Sequence, residues 1–267
     1  MTYFIALLCL SLTSFANMAT ASAAVTTQAA ELQYSIIGER SHKTDLFTQG
    51  LLIHRECFYE SSGRYNSSQL VSYPIAEPTS IWRNFNAPCS QKKSIAPEYF
   101  AEGLTEFNRK LYQLTWREGA LLVYDARSFK LLKTLSYSGE GWGLTHNNQQ
   151  LIRSDGSATL FFHNPENFAL EKTIVVRLEQ QAMTNLNELE YSEGFIWANI
   201  WQDNRILKID PANGQVVGVL DLSAIAQSLQ LDDPDSVLNG IAYDAGKQAL
   251  WITGKQWPKM FLLKIAP

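Results

Sequence analysis

Short runs of alternating apolar and polar residues recur along the chain. They are broken by Gly, Asn, Asp and Ser about every eight to twelve residues, a spacing that predicts an all-β sandwich, barrel or propeller. The clearest unit is Phe100 to Arg117. Gly103 to Phe107 alternates, Asn108-Arg109-Lys110 makes a turn, and Leu111 to Trp116 alternates again with β-branched and aromatic residues. An antiparallel pair of this kind brings Glu102, at the start of the first strand, beside Trp116, at the end of the second. Apolar surroundings disfavour a carboxylate and raise its pKa, so the pair is a candidate for proton chemistry; an exposed Glu beside a core Trp is the plainer alternative. One short helix is expected, over Leu222 to Leu231.

The alternation repeats on a larger scale. Gln49-Gly50-Leu51, Glu102-Gly103-Leu104, Trp142-Gly143-Leu144, Asn187-Glu188-Leu189 and Asn239-Gly240-Ile241 recur at about 40 to 53 residues, the size of a four-stranded propeller blade. Each opens a strand. A second motif closes the next strand in each unit: Glu60-Ser61-Ser62-Gly63, Thr115-Trp116-Arg117, Ser154-Asp155-Gly156-Ser157, Ile200-Trp201-Gln202-Asp203 and Thr253-Gly254-Lys255. Third strands are predicted near 69–73, 120–124, 158–162, 205–209 and 260–265, and fourth strands in four units, such as 131–136 and 216–220. The last unit runs out of chain after three strands, and Gln33 to Gly38 is an orphan strand that can complete it. The prediction is a five-bladed β-propeller closed by an N-terminal strand, which removes both open sheet edges. Pro74 to Tyr99, longer than the other connections, reads as a loop over the first blade.

In this register Gln49, Glu102, Trp142, Asn187 and Asn239 all point at one region around the axis, joined by Trp116, Trp201 and Lys255. Five equivalent positions carrying different polar or aromatic side chains suggest a site built on a symmetric scaffold.

Composition narrows the class. The 267-residue chain has a net charge of −4 and no dense basic run, which argues against nucleic acid as a partner. Aromatic residues make up 12%, including seven Trp, enough to line a concave pocket. Residues 3–18 are apolar and end in Ala19-Thr20-Ala21-Ser22-Ala23-Ala24, the shape of a secretory signal with cleavage near residue 23 or 24, although no Lys or Arg precedes it. Residues 1–24 are therefore expected to be a signal peptide and 25–267 a single propeller domain, periplasmic or secreted, monomeric and free of the membrane after cleavage. Cys9 would leave with the signal. Cys57 and Cys89 remain, either as a disulfide in an oxidising compartment or as two buried thiols. His42, His54, His146 and His163 show no metal-ligand spacing and are expected at the surface or in turns. Asp155 and Asp210 read as turn formers, Asp232-Asp233-Pro234-Asp235 as a solvated acidic turn, and Glu188 and Glu190 as supporting, solvated or capping residues.

The ordered series FTQG, YESSG, FAEGLT, LYQLTWR, VYD, SDGS, NELEY, ANIW, IDP, VLNGIAYD and TGKQWP, from Phe47 to about Leu263, resembles the plant and bacterial glutaminyl-peptide cyclotransferases. The resemblance implies a five-bladed propeller that converts an N-terminal glutaminyl residue to pyroglutamate with release of ammonia, without zinc or another cofactor. It places the general acid/base on Glu102, although Ala101 stands where the family motif has Gly. It puts polar pocket groups on Gln49, Asn187 and Lys255, and an aromatic wall on Phe47, Phe100, Trp116, Trp142 and Trp201. Any of Lys255, Gln49 and Asn187 can serve as the oxyanion donor at this level. The partners expected are peptides and proteins beginning with Gln.

Two other uses of a propeller remain open. Glu102, Asn187 and Asn239 are oxygen ligands that would suit calcium in a metal-dependent lactonase, and the central channel leaves room for a structural calcium ion. A peptide- or glycan-binding propeller would keep the aromatic pocket without needing its acid.

Overall fold

In the computed structural model, which describes residues 1, 28–76 and 89–266, the predicted strands pair as consecutive antiparallel hairpins. The first blade comprises Thr48–His54, Cys57–Ser62, Gln69–Pro74 and Gln91–Ser94. The second is Ala101–Phe107, Lys110–Thr115, Ala120–Asp125 and Leu131–Ser136. The third is Leu144–His146, Leu151–Arg153, Thr159–His163 and Leu170–Val175, and the fourth Leu186–Ser192, Phe195–Ile200, Arg205–Ile209 and Val216–Asp221. The fifth combines Leu238–Asp244, Ala249–Gly254 and Lys259–Ile265 with Tyr34–Ser41, so the N-terminal strand closes the ring as expected. Innermost strands of neighbouring blades touch all the way round, which makes a five-bladed β-propeller. Apolar side chains between successive sheets form the core; Leu104, Leu111, Leu144, Leu189 and Ile241 are almost fully buried.

The recurring tripeptide has a physical cause. In four blades the innermost ladder slips register there: between Thr48 and Gly50, Ala101 and Leu104, Leu186 and Leu189, and Leu238 and Ile241. A β-bulge bends its strand and re-aims a side chain, which turns Gln49, Glu102 and Asn187 toward the mouth of the ring. Glycine follows because the inner strands converge: a Cβ on Gly103 would lie 2.4 Å from the Leu144 nitrogen, and one on Gly50 2.5 Å from the Leu104 nitrogen.

Several details differ from the sequence reading. Gln91–Ser94, inside the stretch read as a loop, is the outer strand of the first blade; its Lys92 and Lys93 leave no apolar alternation to detect. The third blade's inner ladder begins at Leu144, so Trp142 precedes the strand, held by its own N–H to the Ser154 carbonyl and by Ser154 Oγ, which accepts from the Gly143 N–H. The helix is shorter, Ser223–Ser228, because Gln230 turns to φ +50°. Ala30–Glu31 adds an unpredicted parallel strand to the fourth blade.

Two histidines expected at the surface are buried. His42, at the end of the closing strand, is 8% exposed. Its Nδ1 lies 2.7 Å from the Trp257 carbonyl and its Nε2 3.1 Å from Glu60 Oε1. Both partners only accept, so both ring nitrogens carry protons. Thr48 and Tyr73 also donate to Glu60, at 2.7 and 2.6 Å. The cluster joins the closing strand to the first blade. His163 is also buried, stacked on Phe168 at 4.0 Å. Cys57 and Cys89 form a disulfide, which resolves the two thiol alternatives. The predicted signal segment, residues 2–24, lies outside the described residues.

Candidate active site

The ends of the inner hairpins surround one opening of the ring. The backbone pairs Phe47 with Gly63, Phe100 with Trp116, Asn185 with Trp201 and Val237 with Lys255, each by one N–H to carbonyl bond of 2.8 to 3.0 Å. Equivalent positions from different blades therefore face each other across a cavity of about 530 Å³. All nine pocket residues expected from the sequence line it: Gln49, Glu102, Asn187, Lys255, Phe47, Phe100, Trp116, Trp142 and Trp201. Asn239 does not. It lies fully buried beneath, where its side-chain amide donates to the Thr48 carbonyl and to Gln49 Oε1 at 2.9 and 3.2 Å.

Glu102 is 4% exposed at the floor. Gln49 Nε2 donates to its Oε1 at 2.9 Å. Asn239, Gln49 and Glu102 thus form a directed chain of amides ending on the carboxyl. Burial pushes the Glu102 carboxyl well above the usual carboxylate range; Lys255 pulls it down, while Glu140 and Glu118 push it further up. The shift favours the acid form, and with Oε1 accepting from Gln49 its proton would sit on Oε2.

Lys255 is 5% exposed, and burial lowers its ammonium pKa, opposed by Glu102 and Asp235. Its Nζ lies 4.7 Å from the Phe47 ring centre and, among the described residues, forms no ion pair. Asn187 is 2% exposed and its Oδ1 has no hydrogen-bond partner among the described residues. An unpartnered buried polar atom costs stability unless a ligand satisfies it. Gln49 uses its amide oxygen and one amide N–H in bonds with Asn239 and Glu102.

The walls are rings set edge to face. Phe47 meets Phe100 at 6.3 Å, Phe100 meets Trp116 at 5.6 Å, and Trp142 meets Trp201 at 5.9 Å. Such surfaces exclude water and strengthen the polar interactions they enclose.

Four lining residues escaped the sequence reading: Arg64, Arg117, Glu140 and Asp235. Asp235, read as part of a solvated turn, stands at the rim and contributes to the field on Lys255. Arg117 directly follows Trp116, and Glu140 lies two residues before Trp142, so proximity to the hairpin ends was the available signal. Glu188 and Glu190 cap backbone. Glu188, wholly buried where other blades carry Gly, accepts from the Leu51 and Ile241 N–H groups at 3.2 and 2.9 Å. Glu190 accepts from the Tyr243 N–H at 2.8 Å. Burial pushes Glu188 well up and Glu190 up to about 8. Asp155 and Asp210 are turn formers as expected, accepting from Ser157 and from Ala212 and Asn213. Among the described residues, no three His, Cys, Asp or Glu stand together as a metal cluster.

A five-bladed propeller with one buried acid in an aromatic cup defines a class, and the sequence comparison agrees. The glutamine cyclotransferase family model matches residues 6–265, and the chain belongs to that family. A curated glutaminyl-peptide cyclotransferase from Arabidopsis thaliana is 33% identical over 237 residues, covering 87% of this chain and 71% of its own. The crystal structure of Myxococcus xanthus glutaminyl cyclase superposes with a TM-score of 0.80 at 39% identity, over 89% of this chain and 98% of that one.

Proposed function

We propose that the protein is a glutaminyl-peptide cyclotransferase that closes the N-terminal glutamine of peptides and proteins to pyroglutamate and releases ammonia. The observation that carries the reading is the buried Glu102 lining an aromatic cup, one carboxyl oxygen held by Gln49.

The substrate's α-amine attacks its own γ-carboxamide carbon. Because the reaction is intramolecular, the protein's task is to hold the reactive conformer and to move protons. A peptide α-amine has a pKa of about 7.7 to 8.0, so a useful neutral fraction exists near neutral pH. Attack forms a C–N bond and places negative charge on the former carbonyl oxygen and positive charge on the ring nitrogen. Lys255 Nζ donates to that oxyanion. Glu102 Oε2 gives its proton to the departing amide nitrogen as the second C–N bond breaks, then recovers one from the ring nitrogen. The cycle releases neutral ammonia and restores the acid. Asn187 Oδ1 accepts from the substrate's amine or amide N–H and so selects the productive rotamer. The rings of Phe47, Phe100, Trp116, Trp142 and Trp201 pack on the first residue and shed water.

No step requires a metal. Glu188 accepts from two backbone N–H groups, an arrangement that does not suit calcium. The Cys57–Cys89 disulfide is consistent with an oxidising compartment, and a monomer exported to the periplasm or the medium is the corresponding assignment.

Ammonia release from a Gln-initiated dipeptide, with and without a chelator, tests the reading. Chelator-insensitive release with a product lighter by one ammonia is expected. No release from several Gln-initiated peptides would overturn it.

A further inference from the structure

We propose that Glu140 is the positioning residue of the active site: its carboxylate holds the indoles of Trp116 and Trp142, which two neighbouring blades contribute to the cup, in one fixed arrangement. The inference rests on the cyclotransferase reading above.

Glu140 lies on the loop between the second and third blades. Glu140 Oε2 accepts from the indole N–H of Trp116 at 2.8 Å and from that of Trp142 at 2.9 Å. Its Oε1 accepts from Arg117 Nε at 3.0 Å, and the Arg117 guanidinium lies 3.7 Å from the Trp116 ring centre. Trp116 belongs to the second blade and packs on Phe100; Trp142 opens the third and packs on Trp201 of the fourth. One carboxylate therefore couples two aromatic pairs that different blades supply. An indole N–H is donor only. Two of them meeting on one oxygen, with a guanidinium on the other, fix ring orientation more tightly than apolar packing does.

The loop itself is anchored. The Glu140 carbonyl accepts from the Arg153 guanidinium, and the Gly141 N–H donates to the Trp116 carbonyl at 2.9 Å. Arg153 is 4% exposed, shares His163 Nε2 at 3.4 Å and stacks over Tyr137 and Phe161. This accounts for a buried cation that the reaction does not use: it fixes the backbone from which the clamp projects. Burial pushes the Glu140 carboxyl up, but the hydrogen bonds from Trp142, Trp116 and Arg117 outweigh it and hold the group below the usual carboxylate range, so it is charged. Glu102 is faced by Lys255 from the fifth blade, Glu118 from the second and Glu140 from the loop before the third. Lys255 is in turn faced by Asp235 and Arg64. Glu140 is thus one of two negative charges acting on the buried acid, and the one bonded directly to the cup.

The two roles separate by substitution. Glu140→Asp keeps the charge but is too short to hold both indoles; KM rises roughly 10- to 100-fold with the alkaline limb of kcat/KM unmoved, the scale expected for a misplaced wall. Glu140→Gln keeps the length but removes the charge; KM changes by less than about threefold, while Glu102 loses its proton more easily and the alkaline limb moves to lower pH. Glu140→Ala shows both effects. Near-ultraviolet circular dichroism of the indoles and thermal unfolding, recorded without substrate, show whether each variant is folded and whether the rings have moved. If folded Glu140→Asp and Glu140→Gln both keep the wild-type KM and pH limb, the proposal is wrong. If wild-type protein releases no ammonia, it is the cyclotransferase reading that fails, while unmoved indole signals in folded Glu140→Ala would still refute the clamp.

Discussion

Gln49 and Glu102 sit at equivalent bulges of adjacent blades, and the amide of the first holds one carboxyl oxygen of the second at 2.9 Å. The bond decides which oxygen carries the mobile proton.

Glu102→Gln replaces the proton-carrying oxygen with an amide of the same size. Turnover of a Gln-initiated peptide is expected to fall by roughly 10²- to 10⁴-fold, the usual share of a positioned acid/base. An unchanged melting temperature alongside that loss would show that the residue serves chemistry and not folding. Near-normal turnover would remove it from the mechanism.

Lys255→Met removes the oxyanion donor while keeping much of the apolar stem against Phe47. Loss of one such donor costs about 3 to 4 kcal/mol of barrier, or roughly 10²- to 10³-fold in kcat. A defect confined to KM would instead make Lys255 a ground-state contact.

The pH profile follows from the signs of the shifts. Activity rises as the substrate amine loses its proton and falls as Glu102 loses its own, whose pKa burial holds well above the ordinary range. Lys255 lowers that pKa, so Lys255→Met should move the alkaline limb to higher pH even as the rate falls. A limb moving down would assign it to another group.

The His42–Glu60 pair makes closure of the ring pH-dependent. Burial lowers the His42 pKa, but Glu60 more than offsets this and the net value is raised above 6.5. Burial raises Glu60, but His42, Tyr73 and Thr48 outweigh it and the net value falls below 4.5. The stabilisation from His42 is complete below pH 6.5 and fades as pH rises through its raised value; that from Glu60 is complete above pH 4.5 and fades as pH drops through its lowered value. Removing one partner of a buried pair costs about 3 to 5 kcal/mol. The melting-temperature gap between wild type and His42→Gln should therefore be widest between about pH 5 and 6 and narrow on both sides. A gap independent of pH would mean the histidine acts through packing alone.

The Cys57–Cys89 bond closes a loop with a sequence separation of 32. On the chain-entropy account such a crosslink contributes about 3 to 4 kcal/mol. Cys57→Ser with Cys89→Ser should lower the melting temperature but leave KM near wild type, since neither cysteine lines the cup. An equal loss in a reduced wild-type sample would assign the effect to the bond itself.

Strand spacing, the five tripeptides and the unfinished last unit were enough to predict blade count, closure and seven of the residues that line the cup, because a propeller repeats one local structure and equivalent positions share one face; Phe47 and Phe100 came from the family resemblance, and Asn239, placed at the site by the same register, lies beneath it. Strands made wholly of polar residues carry no such signature, and Gln91–Ser94 was missed for that reason. Tertiary structure alone decided what depends on distances between blades. It showed which groups the side-chain amides of Gln49 and Asn239 bond, and which buried amide oxygen of the cup lining, that of Asn187, has no hydrogen-bond partner among the described residues. It buried His42 against Glu60 and carried Asp235 to the rim of the cup. It also brought Glu140 from a glycine-flanked loop onto two indoles of different blades. Alternation reports which face a side chain takes, whereas hydrogen bonds and pKa shifts arise from groups far apart in the chain whose separation only the closed ring sets.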